Sequence, residues 1–281
     1  MKRGLFFLLP LTIFFGSVVS NSSVAQNSQD VSDLLPKRIK SYKDIGLKMI
    51  FVDSEFNEEG TRLRVQKGKK IIFDGNFIRI SGYPDVFKID SLKRVFLFTT
   101  WSGGAHCCSS IITGIYDGRS FHLADTLFIA DGSYKLRDLD SDGVKEILAD
   151  IDRFPYRWTP FSGSDYNLTI LKINSATGKF IDQTAKYPDR VMKYVRSYQK
   201  AIRASNRDTL YDAHNRSDIA KQELACLLYA YISLGKESEG WEILRKQYLY
   251  KDRKEYFKEL CWFIDRLFWV FVMRRRSNHF L

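Results

Sequence analysis

The spacing of apolar residues changes once along this chain, near Pro188, and that change limits the fold more than any other feature. Before it, short β-branched and aromatic runs recur about every ten residues between glycine-containing turns, the pattern of antiparallel strands. Leu47 to Val52, Leu63 to Gln66, Lys70 to Phe73, Phe77 to Ile80, Arg94 to Trp101, Ile111 to Tyr116, Phe121 to Ile129 and Glu146 to Ile151 read this way. A hairpin from Asn167 to Phe180, turning at Ala176-Thr177-Gly178, closes the series. After Pro188 the apolar residues return every three or four positions. Val191, Tyr194, Val195, Tyr198 and Ile202 mark a helix over 190–204, and Leu224, Leu227, Leu228 and Tyr231 one over 218–234. Gly235 is a natural helix stop, and helices over 237–248 and 254–272 complete the chain. The expected class is α+β. A mainly antiparallel β domain over 35–185, in blade-like sheets or a propeller-related sandwich, precedes an all-α helical domain over 186–281.

The first residues stand apart from this plan. Lys2 and Arg3 precede an apolar run from Leu5 to Val19, and small residues follow at Ser20 or at Ser23-Val24-Ala25. That is the layout of a secretory signal peptide, placed at 1–25. The run of about 15 residues is shorter than the roughly 20 that a bilayer-spanning helix needs. No cysteine follows it to carry a lipid anchor. The protein is therefore expected to be exported, to the periplasm or the extracellular space, with a polar linker over 26–34. About 255 residues would remain, enough for one large domain or two modest ones with cores of their own.

Charge narrows the partners. Forty-four basic residues against 33 acidic give +11, and without Lys2 and Arg3 the balance is +9. After residue 185 there are 20 basic and 12 acidic residues, so most of the excess lies in the helical part. On an exported protein such a surface points to an envelope protein or glycan, or to an anionic membrane surface, and away from nucleic acid. No Walker loop, dinucleotide fingerprint, Ser/His/Asp order or zinc-protease helix is present, so no small-molecule cofactor is expected.

One short stretch carries readable chemistry: Asp138-Leu139-Asp140-Ser141-Asp142-Gly143-Val144-Lys145-Glu146. Carboxylates at positions 1, 3 and 5 can turn to a common centre. Gly143 permits a sharp turn at position 6, Val144 can offer its carbonyl at position 7, and Glu146 stands at position 9. Such an all-oxygen shell suits Ca2+ better than the smaller, rigid octahedron of magnesium. An EF-hand would need a bidentate glutamate at position 12, where Ala149 stands, and helices on both flanks. The loop instead resembles the calcium loops of integrin-like FG-GAP and VCBS repeats, Asp-x-Asp-x-Asp-Gly-x-x-Asp before a buried strand. Asp138, Asp140, Asp142, Gly143 and Glu146 match, with Glu in place of the last Asp. The resemblance implies a structural ion and a β fold, not an activity.

The loop belongs to a faint internal repeat. Gly82 to Phe96 aligns with Gly132 to Leu148 if the first copy lacks two residues where Asp142-Gly143 stand. The period of about fifty is the size of a propeller blade; chance similarity of two strand-and-turn segments is the alternative. If the repeat is real, the first copy keeps only Asp90 of the acids.

About thirty residues before the loop lies Trp101-Ser102-Gly103-Gly104-Ala105-His106-Cys107-Cys108. It resembles a strand–turn motif of uncharacterised bacterial exported proteins that carry an Asp-rich loop downstream. The physical options are a structural turn, a strained Cys107–Cys108 bridge between neighbouring residues, a soft-metal site on His106 and the two thiolates, or a cysteine nucleophile paired with His106. Cys226 and Cys261 are expected either to staple the helices together or to remain buried thiols.

Leu227 to Lys236, followed by Gly240-Trp241-Glu242-Ile243-Leu244, looks like the turn of a tetratricopeptide-type hairpin, with Gly240 where two helices would approach closely. Leu260 to Met273 is strongly apolar and ends in Arg274-Arg275-Arg276; it reads as a buried helix, or as an interfacial one. Tyr156, Trp158 and Phe161 form an aromatic loop that would plug a surface or stack on a ligand. The expected function is a non-enzymatic, calcium-stabilised, exported binding module. The alternative is an envelope thiol-redox or metal-dependent enzyme using His106, Cys107 and Cys108.

Overall fold

The structure is a computed structural model that describes residues 37–53, 60–102, 108–160, 163–205 and 213–276, with the side chains of 205, 213–215 and 266–276 excepted. Twelve described strands form three four-stranded sheets, and four helices follow, so the protein is α+β as its residue spacing indicates. The first sheet holds β1 (Lys37–Tyr42), β2 (Leu47–Asp53), β3 (Thr61–Lys67) and β4 (Lys70–Phe77). The second holds β5 (Ile80–Lys88), β6 (Arg94–Trp101), β7 (Ser109–Tyr116) and β8 (Phe121–Ala130). The third holds β9 (Ser133–Arg137), β10 (Glu146–Ile151), β11 (Asn167–Ile173) and β12 (Phe180–Asp182). In each sheet, strands adjacent in sequence pair antiparallel. The helices are α1 (Pro188–Ser205), α2 (Ala213–Ser233), α3 (Glu237–Gln247) and α4 (Arg253–Arg276).

Strand β6 shows why three sheets can share two cores. Its side chains alternate between faces. Phe96 and Phe98 join Met49, Phe51, Leu63 and Val65 of the first sheet. Val95 and Leu97 join Ile147, Ala149 and Ile151 of the third. A strand buried on both faces must be apolar throughout, which is why Arg94 to Trp101 carries the strongest strand signal. The third core is helical. Val191, Val195, Leu224, Leu227, Leu228 and Leu260 gather there, and Phe154 from the β10–β11 connection inserts among them.

Three strands are absent from the expected set in this form. Strands β1, β5 and β9 are the edge strands that open each sheet, and most of their side chains are exposed or half-exposed. They are held through the backbone ladder, which leaves no apolar alternation to read. The run expected to end at Phe73 continues through Asp74-Gly75 to Phe77, and the strand expected at Phe77 to Ile80 is instead the junction where β4 ends and β5 begins. Asp74 lies opposite Arg64 and accepts hydrogen bonds from Arg62 and Arg64 at 2.7–3.0 Å. A cross-strand charge cluster here overrides the local turn preference.

The helical reading places the elements well. Gly240 of α3 lies where an added Cβ would come 2.8 Å from Tyr231 Cβ and 3.0 Å from Leu228 Cδ1, so α2 and α3 pack through it. The expected Cys226–Cys261 staple is absent. Both are free thiols, Cys226 buried in α2 and Cys261 exposed on α4. Among the described residues no disulfide joins two cysteines. Among the described residues no helix is long and apolar enough to cross a membrane.

Candidate metal centre

The acidic loop connects β9 to β10 at one end of the third sheet. Ser141 (φ 61) and Gly143 (φ 83) both take left-handed backbone, which curls the loop tightly. For Gly143 this costs nothing, since it has no Cβ to clash. The curl brings main-chain donors to the acids. Gly143 N donates to Asp138 Oδ2 at 3.0 Å, and Val144 N donates to Asp142 Oδ1 at 2.8 Å. Leu139 N donates to Glu146 Oε2 at 2.9 Å.

Three of the four expected carboxylates converge. Asp138, Asp140 and Glu146 each present an oxygen within 4.8 Å of the others. Glu146 is 1% exposed, and its Oε1 accepts no hydrogen bond from any described residue. A buried carboxylate oxygen without a donor is costly unless a cation meets it. The donor set is therefore all oxygen, with one member buried and two at the surface, and it fits a hard divalent cation.

Asp142, the acid at position 5, lies outside that group, although its carboxylate neighbours Asp140. Its Oδ2 accepts a 2.5 Å hydrogen bond from Lys172 Nζ, and that ammonium also stands 3.7 Å from Glu146 Oε1. The Lys172 partnership holds the Asp142 carboxyl below its ordinary range, with the Val144 N–H adding to the effect. Strand pairing explains the meeting. Ile147 of β10 is opposite Leu171 of β11, so Glu146 and Lys172 are the next cross-strand neighbours on the other face. Sequence reading missed Lys172. Its signal is a lone cation in a strand whose other six residues are buried. Val144 has an exposed side chain, which leaves its backbone as the only group it can offer an ion.

The two segments aligned as a possible repeat fall on the first two strands of the second and third sheets. The first spans β5, the following turn and β6; the second spans β9, the acidic loop and β10. Aligned so, Arg94 takes the position of Glu146. Arg94 is 4% exposed, and its guanidinium donates to the carbonyls of Asp90 at 2.6 Å and Lys93 at 3.0 Å and to Asp44 Oδ2 at 2.7 Å. Where the third sheet gathers acids, the second has a fixed cation.

His106 and Cys107 lie outside the described residues. The described residues on either side are hydrogen-bonded to each other: Cys108 N donates to Ser102 Oγ at 2.6 Å, and Ser102 N donates to Cys108 O at 3.0 Å. Of the aromatic loop, Trp158 packs against Phe154 and Tyr256 and donates from Nε1 to Glu259 at 3.2 Å, so it seals the loop onto α4. Tyr156 is exposed, and Phe161 lies outside the described residues.

A second acidic group escaped sequence reading entirely. Asp165, before β11, and Glu223 of α2 share a side-chain hydrogen bond, and burial raises both pKa values, that of Glu223 to about 9. Asp152 lies nearby, 3% exposed and also raised by burial. Nothing in a linear pattern links residues 58 positions apart.

No family model and no solved structure matches the chain. A protein of Synechocystis sp. named a probable thylakoid lumen protein is 26% identical over 168 residues, 57% of this chain and 45% of that one. An uncharacterised protein of Sinorhizobium fredii is 35% identical over 80 residues, 28% of this chain and 12% of that one. The chain thus spans less than half the length of these relatives. The likeness is one of distant homology, to one protein named for a lumenal compartment and one without a stated role, and it assigns no family.

Proposed function

We propose that this protein is an exported, non-enzymatic binding module of the cell envelope in which the 138–146 loop takes calcium as a structural ion. The observation that carries the ion is the convergence of Asp138, Asp140 and Glu146 within 4.8 Å, with Glu146 Oε1 buried and without a hydrogen-bond donor. Calcium there offsets most of the charge of three converging carboxylates and fixes β9 against β10. Asp138, Asp140 and Glu146 are its side-chain ligands, with the Val144 carbonyl and the Asp142 carboxylate completing an oxygen shell. The ion contributes stability and loop shape; no step of chemistry is assigned to it.

Export is supported by the basic and apolar leader at 1–25 and by a relative named for a lumenal compartment. The basic excess after residue 185 favours an envelope protein or glycan as partner, with anionic lipid as an added contact. The thiol or metal chemistry considered for His106, Cys107 and Cys108 has no described geometry to stand on.

Isothermal titration of chelator-stripped protein is expected to show one calcium site per chain, which Asp140→Ala removes. Calcium is expected to raise the Tm of the wild type alone. No heat of binding together with an unchanged Tm would defeat the reading.

A further inference from the structure

The loop already meets one cation, and that cation belongs to the protein. Lys172 Nζ touches Asp142 Oδ2 and stands 3.7 Å from Glu146 Oε1. The second distance is an ion-pair distance, too long for a hydrogen bond, so Glu146 is only partly compensated. The comparison with Arg94 shows what a complete internal substitute looks like. Arg94 has a side chain 5% exposed and donates to Asp44 and to several loop carbonyls. Lys172 has a side chain 27% exposed, a flexible four-carbon stem, and one firm contact, to a half-exposed carboxylate. Arg94 is locked in place, whereas Lys172 is free to leave.

We propose that Lys172 is a tethered counter-ion that competes with the divalent cation for the 138–146 loop, holding Asp142 out of the ligand set until the ion enters. The proposal rests on the reading of this loop as a cation site. Entry of the ion is an exchange. The divalent cation meets Asp138, Asp140 and Glu146, the Lys172 ammonium moves out to water, and Asp142 is released to turn inward as a fourth carboxylate. The wild-type loop consequently binds its ion more weakly than its four acids alone would allow. Without the ion, the same ammonium limits the repulsion among those acids. The loop then responds to the calcium level around it instead of holding the metal permanently.

The test is a calcium titration of wild type and Lys172→Met, a neutral side chain of similar length, by isothermal calorimetry. Lys172→Met is expected to bind calcium about fivefold more tightly, because entry of the ion no longer has to break an ammonium–carboxylate pair in a hydrated site. Equal or weaker binding by the variant, with the wild type still binding, overturns the competitor role and leaves the cation site standing. If neither protein binds calcium, the cation site itself is refuted. A second measurement needs no variant: the acylation rate of the Lys172 amine, read by peptide mass spectrometry, is expected to rise when calcium saturates the wild type. An unchanged or slower rate overturns the proposal.

Discussion

Arg94 opens β6 at the position where Glu146 opens β10, and the two side chains are buried to nearly the same degree, 4% and 1% exposed. One strand opens on a buried positive charge and the other on a buried negative one. The loops around them differ accordingly. The turn at 89–93 wraps its carbonyls around a guanidinium, while the longer loop at 138–145 assembles carboxylates.

Arg94→Met therefore takes the guanidinium from the Asp90 carbonyl and from Asp44, while the Lys93 carbonyl keeps the Ile89 N–H at 3.1 Å; the expected cost is about 1–2 kcal/mol. Asp44→Asn is expected to cost much less, because Asp44 faces solvent and serves one contact. Denaturant unfolding of the two variants checks the order. An Arg94→Met protein as stable as the wild type would show that the guanidinium is not the centre of that turn.

Glu146→Gln removes the buried charge without changing shape. In chelator its Tm is expected to equal or exceed that of the wild type, because an imperfectly paired carboxylate no longer has to be buried. Added calcium is then expected to leave it unmoved. Thermal melts in chelator and in calcium decide this, and a calcium shift of wild-type size in Glu146→Gln would remove Glu146 from the ligand set.

The Asp165–Glu223 pair gives stability a slope with pH. Burial and the neighbouring Asp165 raise the Glu223 pKa from 4.5 to about 9, so the folded state keeps a proton that the unfolded chain releases. Folded protein then binds more protons than unfolded between those values, and stability from this group falls as pH rises through that window. Asp152 acts in the same sense. Glu223→Gln is expected to flatten the decline in Tm between pH 5 and pH 9 by at least about 2–4 °C. Parallel Tm curves for variant and wild type would show that the pair holds no extra proton.

Gly240→Val places a branched side chain into the 2.8 Å approach to Tyr231. Overpacking of this kind costs about 1–3 kcal/mol. Gly240→Ala is expected to lose less, since alanine returns about 1 kcal/mol of helix propensity. Equilibrium unfolding separates the two, and equal stability of all three proteins would mean that α2 and α3 do not pack through this residue.

Reading the chain worked where the physical cause lies within a few residues. The apolar spacing of β6 and of α1, the stop after α2 and the small residue at Gly240 are all local, and all appear in the fold. Strands β1, β5 and β9 were hidden because edge strands are held by backbone ladders that side chains do not report. The extra length of β4 was hidden because Arg62 and Arg64, on another strand, hold Asp74 in the sheet.

The acidic loop divides in the same way. By itself the sequence indicated that Asp138, Asp140, Asp142 and Glu146 could turn to one centre, because a nine-residue loop with a glycine at its sixth place has few ways to turn; that Asp142 stays outside the group was not legible. Only the tertiary structure decided what they meet. Lys172 reaches them through the register of β11 on β10, set by Ile147 opposite Leu171. A slip of one residue would send the lysine to the opposite face. The buried Asp165–Glu223 pair likewise exists only because α2 packs beside the strand that follows Asp165. Counter-charges arrive from distant parts of the chain, and packing, not spacing, brings them together.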